Sequence, residues 1–199
     1  MAAMTKDEKH CWTDVSFSLS QATVIAIVAT PVVGVAVLGL YILVWGTDSL
    51  LSGLLYFRHL AIVLSVIFAS IMIHEGLHWV GYVGFGHLSW RAVRLGFSLR
   101  SLAAYVHSDA ELSIAAYRRL VALPGVVLGV IPVFAGITWG AAWMALYGLL
   151  MLIGASGDGA ILWKVRGVAP GSLVVDHPSR AGCLVLQERS EGIAPFPSD

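Results

Sequence analysis

A cluster of ionisable residues interrupts one of the most apolar stretches of the chain. The stretch SIMIHEGLHWVGY contains His74, Glu75 and His78 in the pattern H-E-x-x-H. Residues four positions apart lie on one face of a helix, so both imidazoles can bind the same metal ion. The carboxylate next to the first histidine lies beside such an ion, where it can act on water instead of serving as a ligand. The spacing therefore predicts a zinc centre with Glu75 as general base.

Asp158 is the candidate for a third ligand. A catalytic zinc keeps one position for water, so two histidines leave one protein ligand missing. His78 and Asp158 lie about seven and five residues from the inner ends of their apolar segments, depths of roughly 10 and 8 Å. We therefore expect His74, His78 and Asp158 to hold one zinc ion. Small residues that predict close helix contacts follow the histidines and surround the aspartate. They are Gly81, Gly84, Gly154, Gly157 and Gly159.

Other interpretations of the polar residues stay open. H-E-x-x-H arises by chance in unrelated chains, and a His–Asp or His–Glu cluster can hold a helix bundle together without metal. His107, Asp109 and Glu111 can approach the site, although surface positions are the simpler expectation. Asp176 and His177 are expected in a turn, where an Asp side chain caps backbone amides.

The composition indicates a membrane protein. The 199 residues are 58% hydrophobic and 12% charged, whereas soluble domains carry about 25% charged residues. Four segments are long enough to cross a bilayer as helices, which takes about 20 apolar residues. They cover residues 24–45, 60–85, 120–138 and 141–163. The expected fold is an all-α polytopic membrane domain over residues 23–166, between an N-terminal segment (1–22) and a C-terminal tail (167–199).

The basic residues orient the expected bundle. Eleven of the twelve lysines and arginines fall on one side of a four-span arrangement, and only Arg58 falls on the other. Cytoplasmic loops carry an excess of basic residues. We therefore expect both termini in the cytoplasm. The expected location is a prokaryotic cell membrane, which the protein crosses several times.

Short strands and helix kinks complete the expected fold. RAVRLGFSLRS alternates as a half-buried strand does, with SLAAYVH as its hairpin partner on the cytoplasmic side. In the tail, SLVVDHPSRAGCLVLQE contains two β-prone runs around a proline-containing turn. Pro31, Pro124 and Pro132 lie inside spans and mark expected kinks, where neighbouring helices re-satisfy the carbonyls that a proline frees.

Three motifs carry a resemblance to known families. H-E-x-x-H in one membrane helix and D-G in a later one resemble the site-2 protease class of intramembrane zinc metalloproteases. HEGLH, SGDG and VVDHPSRAGC, in this order over residues 60–186, resemble more closely the DUF3267 family of small four-span zincin peptidases. The resemblance implies zinc on His74, His78 and Asp158, with Glu75 as base. Site-2 proteases commonly have an Asn before D-G. That Asn is proposed to help hold the substrate or the oxyanion. This chain contains no Asn, so either another hydrogen-bond donor takes this role or the catalytic details differ.

The sequence as a whole predicts a membrane-embedded zinc endopeptidase. It would hydrolyse peptide bonds of membrane-associated proteins or peptides through an activated water molecule. The expected partners are that substrate and the lipid bilayer, and the zero net charge gives no indication of nucleic acid. The alternative is a metal-binding transporter or sensor that cleaves nothing, although a transporter usually has further polar groups along its path. A scaffold protein without zinc is the third possibility.

Overall fold

Helices dominate the described part of the chain. The structure, a computed structural model, describes residues 10–98 and 103–188. The helices are α1 (Leu19–Leu54), α2 (Leu60–Gly84), α3 (Ile114–Pro124), α4 (Ile131–Trp139), α5 (Ala142–Gly154) and α6 (Ser156–Val165). The strands are β1 (His10–Phe17), β2 (Arg94–Ser98), β3 (Ala103–His107), β4 (Leu112–Ser113), β5 (Leu173–Asp176) and β6 (Ala181–Glu188). Short 3₁₀ turns cover Leu55–Arg58 and Trp90–Ala92, and a π-helical segment, Gly125–Val130, joins α3 to α4.

Within the described ranges, three helical segments are long and apolar enough to cross a membrane. They are Thr23–Arg58, Leu60–Gly84 and Ile114–Trp139. A fourth crossing requires α5 and α6 to act together, because a bend of 55° separates them. Outward-facing apolar side chains on α1 and α2, such as Leu43 and Phe68, are 82% and 66% exposed, as expected where lipid is the neighbour. These features indicate a membrane protein.

The helix bounds differ from the expected spans at two places. The first span does not end near residue 45 but continues to Leu54, with a break at Gly46, whose φ of +81° is readily adopted only by glycine. The third span begins six residues early, at Ile114, because the hydroxyl of Ser113 accepts a hydrogen bond from the Ala116 amide and caps the helix.

In the described part of the chain, the strands form two small antiparallel sheets. One is the hairpin of β2 and β3, and the other has the strand order β1-β6-β5-β4. The hairpins predicted from the alternating segment and from the tail are confirmed within the described residues, and residues 99–101 of the first predicted strand lie outside them. The strand β1 was not predicted, yet it pairs along its whole length with β6, from His10 opposite Glu188 to Phe17 opposite Ala181. The N-terminal segment and the tail therefore share one sheet.

Small residues allow the second half of the bundle to pack tightly. The helix α5 lies against α1 and α4, and α2 lies against α3. A Cβ atom added to Gly136 would lie 2.4 Å from the Ala145 nitrogen, and one added to Gly148 would lie 2.7 Å from the Gly129 oxygen. The backbones of α4 and α5 are thus in direct contact, as small residues permit in membrane helices.

The main core lies where α2, α3 and α6 meet the four-stranded sheet. Its buried members include Tyr82, Tyr117, Val165, Val174 and Cys183. Next to this core, Arg118 on α3 donates to the last carbonyls of α6 and the following turn, at 2.6 Å to Val165 and 2.7 Å to Val168. A guanidinium group at a helix C-terminus satisfies carbonyls that have no partner within the helix.

Candidate metal centre

One face of α2 carries a line of polar residues that runs towards the four-stranded sheet. Ser70, His74, His78 and Tyr82 follow one another at four-residue intervals, so they lie nearly in line on the helix. Consecutive members are about 6 Å apart along the axis. A polar line of this kind is costly in an apolar environment unless each member has a partner.

Different elements supply those partners. The hydroxyl of Ser70 is 2.9 Å from the hydroxyl of Tyr147 on α5. The two histidines meet Asp158 of α6, and Tyr82 donates a hydrogen bond to Asp176 at the end of β5. The polar face of α2 is therefore covered by helices on one side and by the sheet at its end.

The structure brings the predicted ligands together. The Nε2 atoms of His74 and His78 lie 3.1 and 3.4 Å from Oδ2 of Asp158. Each residue offers one ligand atom within 4.8 Å of the other two, and the two imidazole rings are 4.9 Å apart in an edge-to-face arrangement. Asp158 lies in the first turn of α6, so the bend between α5 and α6 places it opposite the histidines.

The geometry of these three side chains fits a zinc ion. Tetrahedral ligand atoms about 2.0–2.1 Å from zinc are about 3.3 Å apart, close to both histidine–aspartate separations. Oδ2 of Asp158 is buried and makes no hydrogen bond in the described part of the chain. A buried carboxylate oxygen without a partner is costly, and a cation between the three residues would satisfy it. The three side chains are 13–20% exposed, so the protein does not enclose them completely.

His78 has a second contact, which determines which of its ring nitrogens carries a proton. Its Nδ1 atom is 3.2 Å from the backbone oxygen of Leu120 on α3. A carbonyl can only accept a hydrogen bond, so Nδ1 carries the proton in this contact. In the neutral ring, Nε2 then carries the lone pair, and this atom lies 3.4 Å from Oδ2 of Asp158. Two acceptor atoms this close repel each other unless a cation or a proton lies between them, and a metal ligand fixed through its other nitrogen is a common arrangement.

Glu75 lies beside this group without joining it. Its side chain is half-buried and makes no hydrogen bond or ion pair with any residue that the structure describes. The grouping of ligand atoms contains the two histidines and Asp158 only. Glu75 thus follows the first histidine in sequence without belonging to the group, and its role as general base stays a prediction.

Of the glycines expected to bring helices together near the centre, only Gly81 does so. A Cβ atom at Gly81 would be 2.6 Å from the Cβ atom of Leu120, so α2 and α3 touch at this point. The other positions have open space where a Cβ atom would lie, and the expectation was wrong for them. They are Gly84, Gly154, Gly157 and Gly159.

The role expected for Asp176 is corrected by its contacts. It does not cap the turn that follows it but accepts hydrogen bonds from the hydroxyl of Tyr82 and, at 3.0 Å, from the amide of Ser108. The turn is capped by His177, whose Nδ1 accepts from the amides of Ser179 and Arg180. Burial raises the pKa of the Asp176 carboxyl above its usual range, although the two hydrogen bonds act in the opposite direction. Asp176 thus joins α2, β5 and the segment after β3.

The remaining polar candidates, which were expected at surface positions, lie outside the metal centre. His107 lies 2.9 Å from Asp109, which also pairs with Arg94 of β2 at 3.3 Å. The hydrogen bond with His107 holds the pKa of Asp109 below its usual range. Glu111 is exposed. Tyr82 and Leu120 were not singled out from the sequence. Tyr82 had a usable signal, because it continues the four-residue spacing of the histidines.

The central part of the chain matches a known family. Residues 67–173, which include the histidines and Asp158, match the DUF3267 family, described as "Putative zincin peptidase". This match covers more than half of the 199 residues. It supports zinc and peptidase activity at the level of the family. No curated protein and no solved structure matches the chain.

Proposed function

The chain belongs to the DUF3267 family, and from this membership we propose that it is a membrane-embedded zinc endopeptidase, similar in its chemistry to site-2 proteases. One zinc ion would be held by His74, His78 and Asp158, and Glu75 would be the general base. The substrates would be membrane-associated proteins or peptides. The observation that carries the proposal is the convergence of two imidazole nitrogens on a buried carboxylate oxygen that has no hydrogen bond within the described ranges.

The side chains divide the chemistry between them. Zinc, when bound, supplies a Lewis acid that lowers the pKa of water and polarises a carbonyl group. Glu75, half-buried and without a partner in the described chain, would take a proton from the attacking water. The same carboxyl group would then give that proton to the amine that leaves when the peptide bond breaks. A general base of this kind contributes about 10²–10⁴-fold to the rate.

The shared sheet supports a four-span topology. The strands β1, β4, β5 and β6 hydrogen-bond to one another in one sheet, so all four must lie on the same side of the membrane. The chain between β1 and β4, and that between β4 and β5, must each cross an even number of times. Two crossings by α1 and α2, and two by the α3–α4 segment and the bent α5–α6 pair, meet this condition. The basic residues favour the cytoplasm for the side with the sheet.

The route of water and substrate would lie on the sheet side. Tyr82 is one helical turn beyond His78 and contacts Asp176 of the sheet, so the metal centre is about 6 Å from that contact along α2. We therefore propose that cleavage occurs towards the cytoplasmic end of the membrane segment of a substrate.

A substrate must present an extended stretch, because the backbone groups of a helix are already paired. The hairpin of β2 and β3 packs beside α2 through β3, and in the described part of the chain β2 pairs with β3 alone. The other edge of β2 can therefore accept an extended peptide as an additional strand. This edge is the proposed substrate-binding element.

The test combines metal analysis with cleavage of a membrane protein substrate in detergent or vesicles. Wild-type protein should contain about one zinc and cleave. Glu75→Gln should retain the zinc and lose at least about 100-fold in rate, and His74→Ala should lose both. Cleavage by Glu75→Gln at the wild-type rate would exclude Glu75 as the base. Zinc transfer into vesicles without cleavage would favour the transporter instead.

A further inference from the structure

We infer that Pro124 is a positioning residue for the metal centre, because its missing amide hydrogen reserves the backbone oxygen of Leu120 for His78. The inference rests on the proposed function, since it concerns a ligand of the proposed zinc ion. It assigns a task to a proline that contacts neither metal nor substrate.

The argument begins with the hydrogen bonds of α3. In an α-helix, the carbonyl of Leu120 would accept from the amide four residues later, and that position is Pro124, which has no N–H. The next amide, that of Gly125, donates to the Ala122 oxygen. The Leu120 oxygen thus lacks its usual helix partner. The imidazole of His78 donates to it at 3.2 Å.

The site around this bond excludes water as the replacement partner. Leu120 and Pro124 are both fully buried, and Gly81 lets α2 approach Leu120 within van der Waals contact. An unpaired carbonyl in such a place would be costly. The imidazole of His78 removes that cost by donating a hydrogen bond to the Leu120 carbonyl, and the carbonyl in turn restrains the imidazole.

The consequence for the metal centre is an ordered ligand. The hydrogen bond from Nδ1 to Leu120 restrains the rotation of the His78 ring, whose Nε2 atom lies 3.4 Å from Oδ2 of Asp158. An N–H group at position 124 would compete with His78 for the Leu120 oxygen, because it could form the regular helix hydrogen bond to it. The ring would then lose both its orientation and its preference for the tautomer with a free Nε2.

The experiment compares Pro124→Ala and Pro124→Gly with Pro132→Ala, which replaces another proline of the same span. Zinc affinity is measured by competition with a chelator, and the ligand geometry is followed by the visible absorption of the cobalt-substituted protein. Loss of a hydrogen-bond partner behind a metal ligand typically lowers affinity about 10–100-fold. We expect a loss of about tenfold or more and an altered cobalt spectrum in both Pro124 variants, and no change in Pro132→Ala.

Two results would overturn the inference. One is wild-type zinc affinity together with an unchanged cobalt spectrum in both Pro124 variants. The other is an equal loss in Pro132→Ala, which would mean that the shape of the span matters and not the Leu120 oxygen. Failure of the proposed function would look different. Wild-type protein would then bind no zinc, or would bind zinc with the expected proline effects and cleave nothing.

Discussion

Gly81 of α2 lies against Leu120 of α3 so closely that a Cβ atom at position 81 would be 2.9 Å from the Cα atom of Leu120. This contact lies about one turn from His78, whose imidazole bonds to the backbone of the same leucine. The distance between the two helices and the orientation of a proposed zinc ligand are therefore set at one place.

Gly81→Ala should separate the helices and weaken the metal centre. The added methyl group would meet Leu120, and overpacking of this kind costs about 1–3 kcal/mol of unfolding free energy. It should also lengthen the bond between His78 and Leu120 and lower zinc affinity about tenfold. Gly84→Ala is the matched control, since a Cβ atom there meets open space. Zinc titration and thermal unfolding check both variants, and equal behaviour of the two would contradict the prediction.

Tyr82→Phe should weaken the attachment of the four-stranded sheet to α2. The hydroxyl of Tyr82 donates to the buried carboxylate of Asp176, and hydrogen bonds to charged groups contribute about 1.5–3 kcal/mol. Tyr41→Phe is the control, because Tyr41 is also fully buried and donates to the Gly140 oxygen at 2.7 Å at the other end of the bundle.

Hydrogen exchange separates the two tyrosine variants. Both should lower the melting temperature, but only Tyr82→Phe should speed exchange of the Ser108 amide, which donates to the same carboxylate. Unchanged exchange at Ser108 in Tyr82→Phe would show that Asp176 holds the sheet without the tyrosine.

Cysteine labelling in intact cells should locate the sheet in the cytoplasm. Asp48 and Ser179 are exposed at opposite ends of the bundle, and single cysteines replace them in a Cys11→Ser background. The remaining Cys183 is fully buried and should not react. An impermeant maleimide should label Asp48→Cys only. Labelling of Ser179→Cys alone would invert the proposed orientation, and labelling of both would contradict a single cytoplasmic sheet.

The grouping of His74, His78 and Asp158 could be predicted because it depends on regular geometry. Helix periodicity fixes the face that the two histidines share, and depth in the bilayer limits which acidic residue can reach them. Their role as ligands stays a prediction. The contact of His78 with Leu120 was beyond such reasoning. A proline shows that a carbonyl has lost its partner, but only the packing of α2 on α3 shows which side chain replaces it.

The bend between α5 and α6 and the strand β1 were missed for a different reason. Residues 141–163 are predominantly apolar, and hydropathy does not distinguish a straight helix from one that turns by 55°. The strand β1 depends on a partner more than 160 residues away in the chain, so no local pattern indicates it. The hairpins β2–β3 and β5–β6 were predictable because each pairs with its own neighbour in sequence.

The pairing of β1 with β6 has a consequence for the order of synthesis. At about 5–20 residues per second, β1 leaves the ribosome roughly 10–30 s before its partner, and every membrane helix is made in the interval. An unpaired strand edge invites contact with other chains, so β1 must stay apart from them during that time. Asp176 and β6 also come late. All the proposed ligands are therefore synthesised before β6 is available to pair with β1 and complete the sheet at the end of α2.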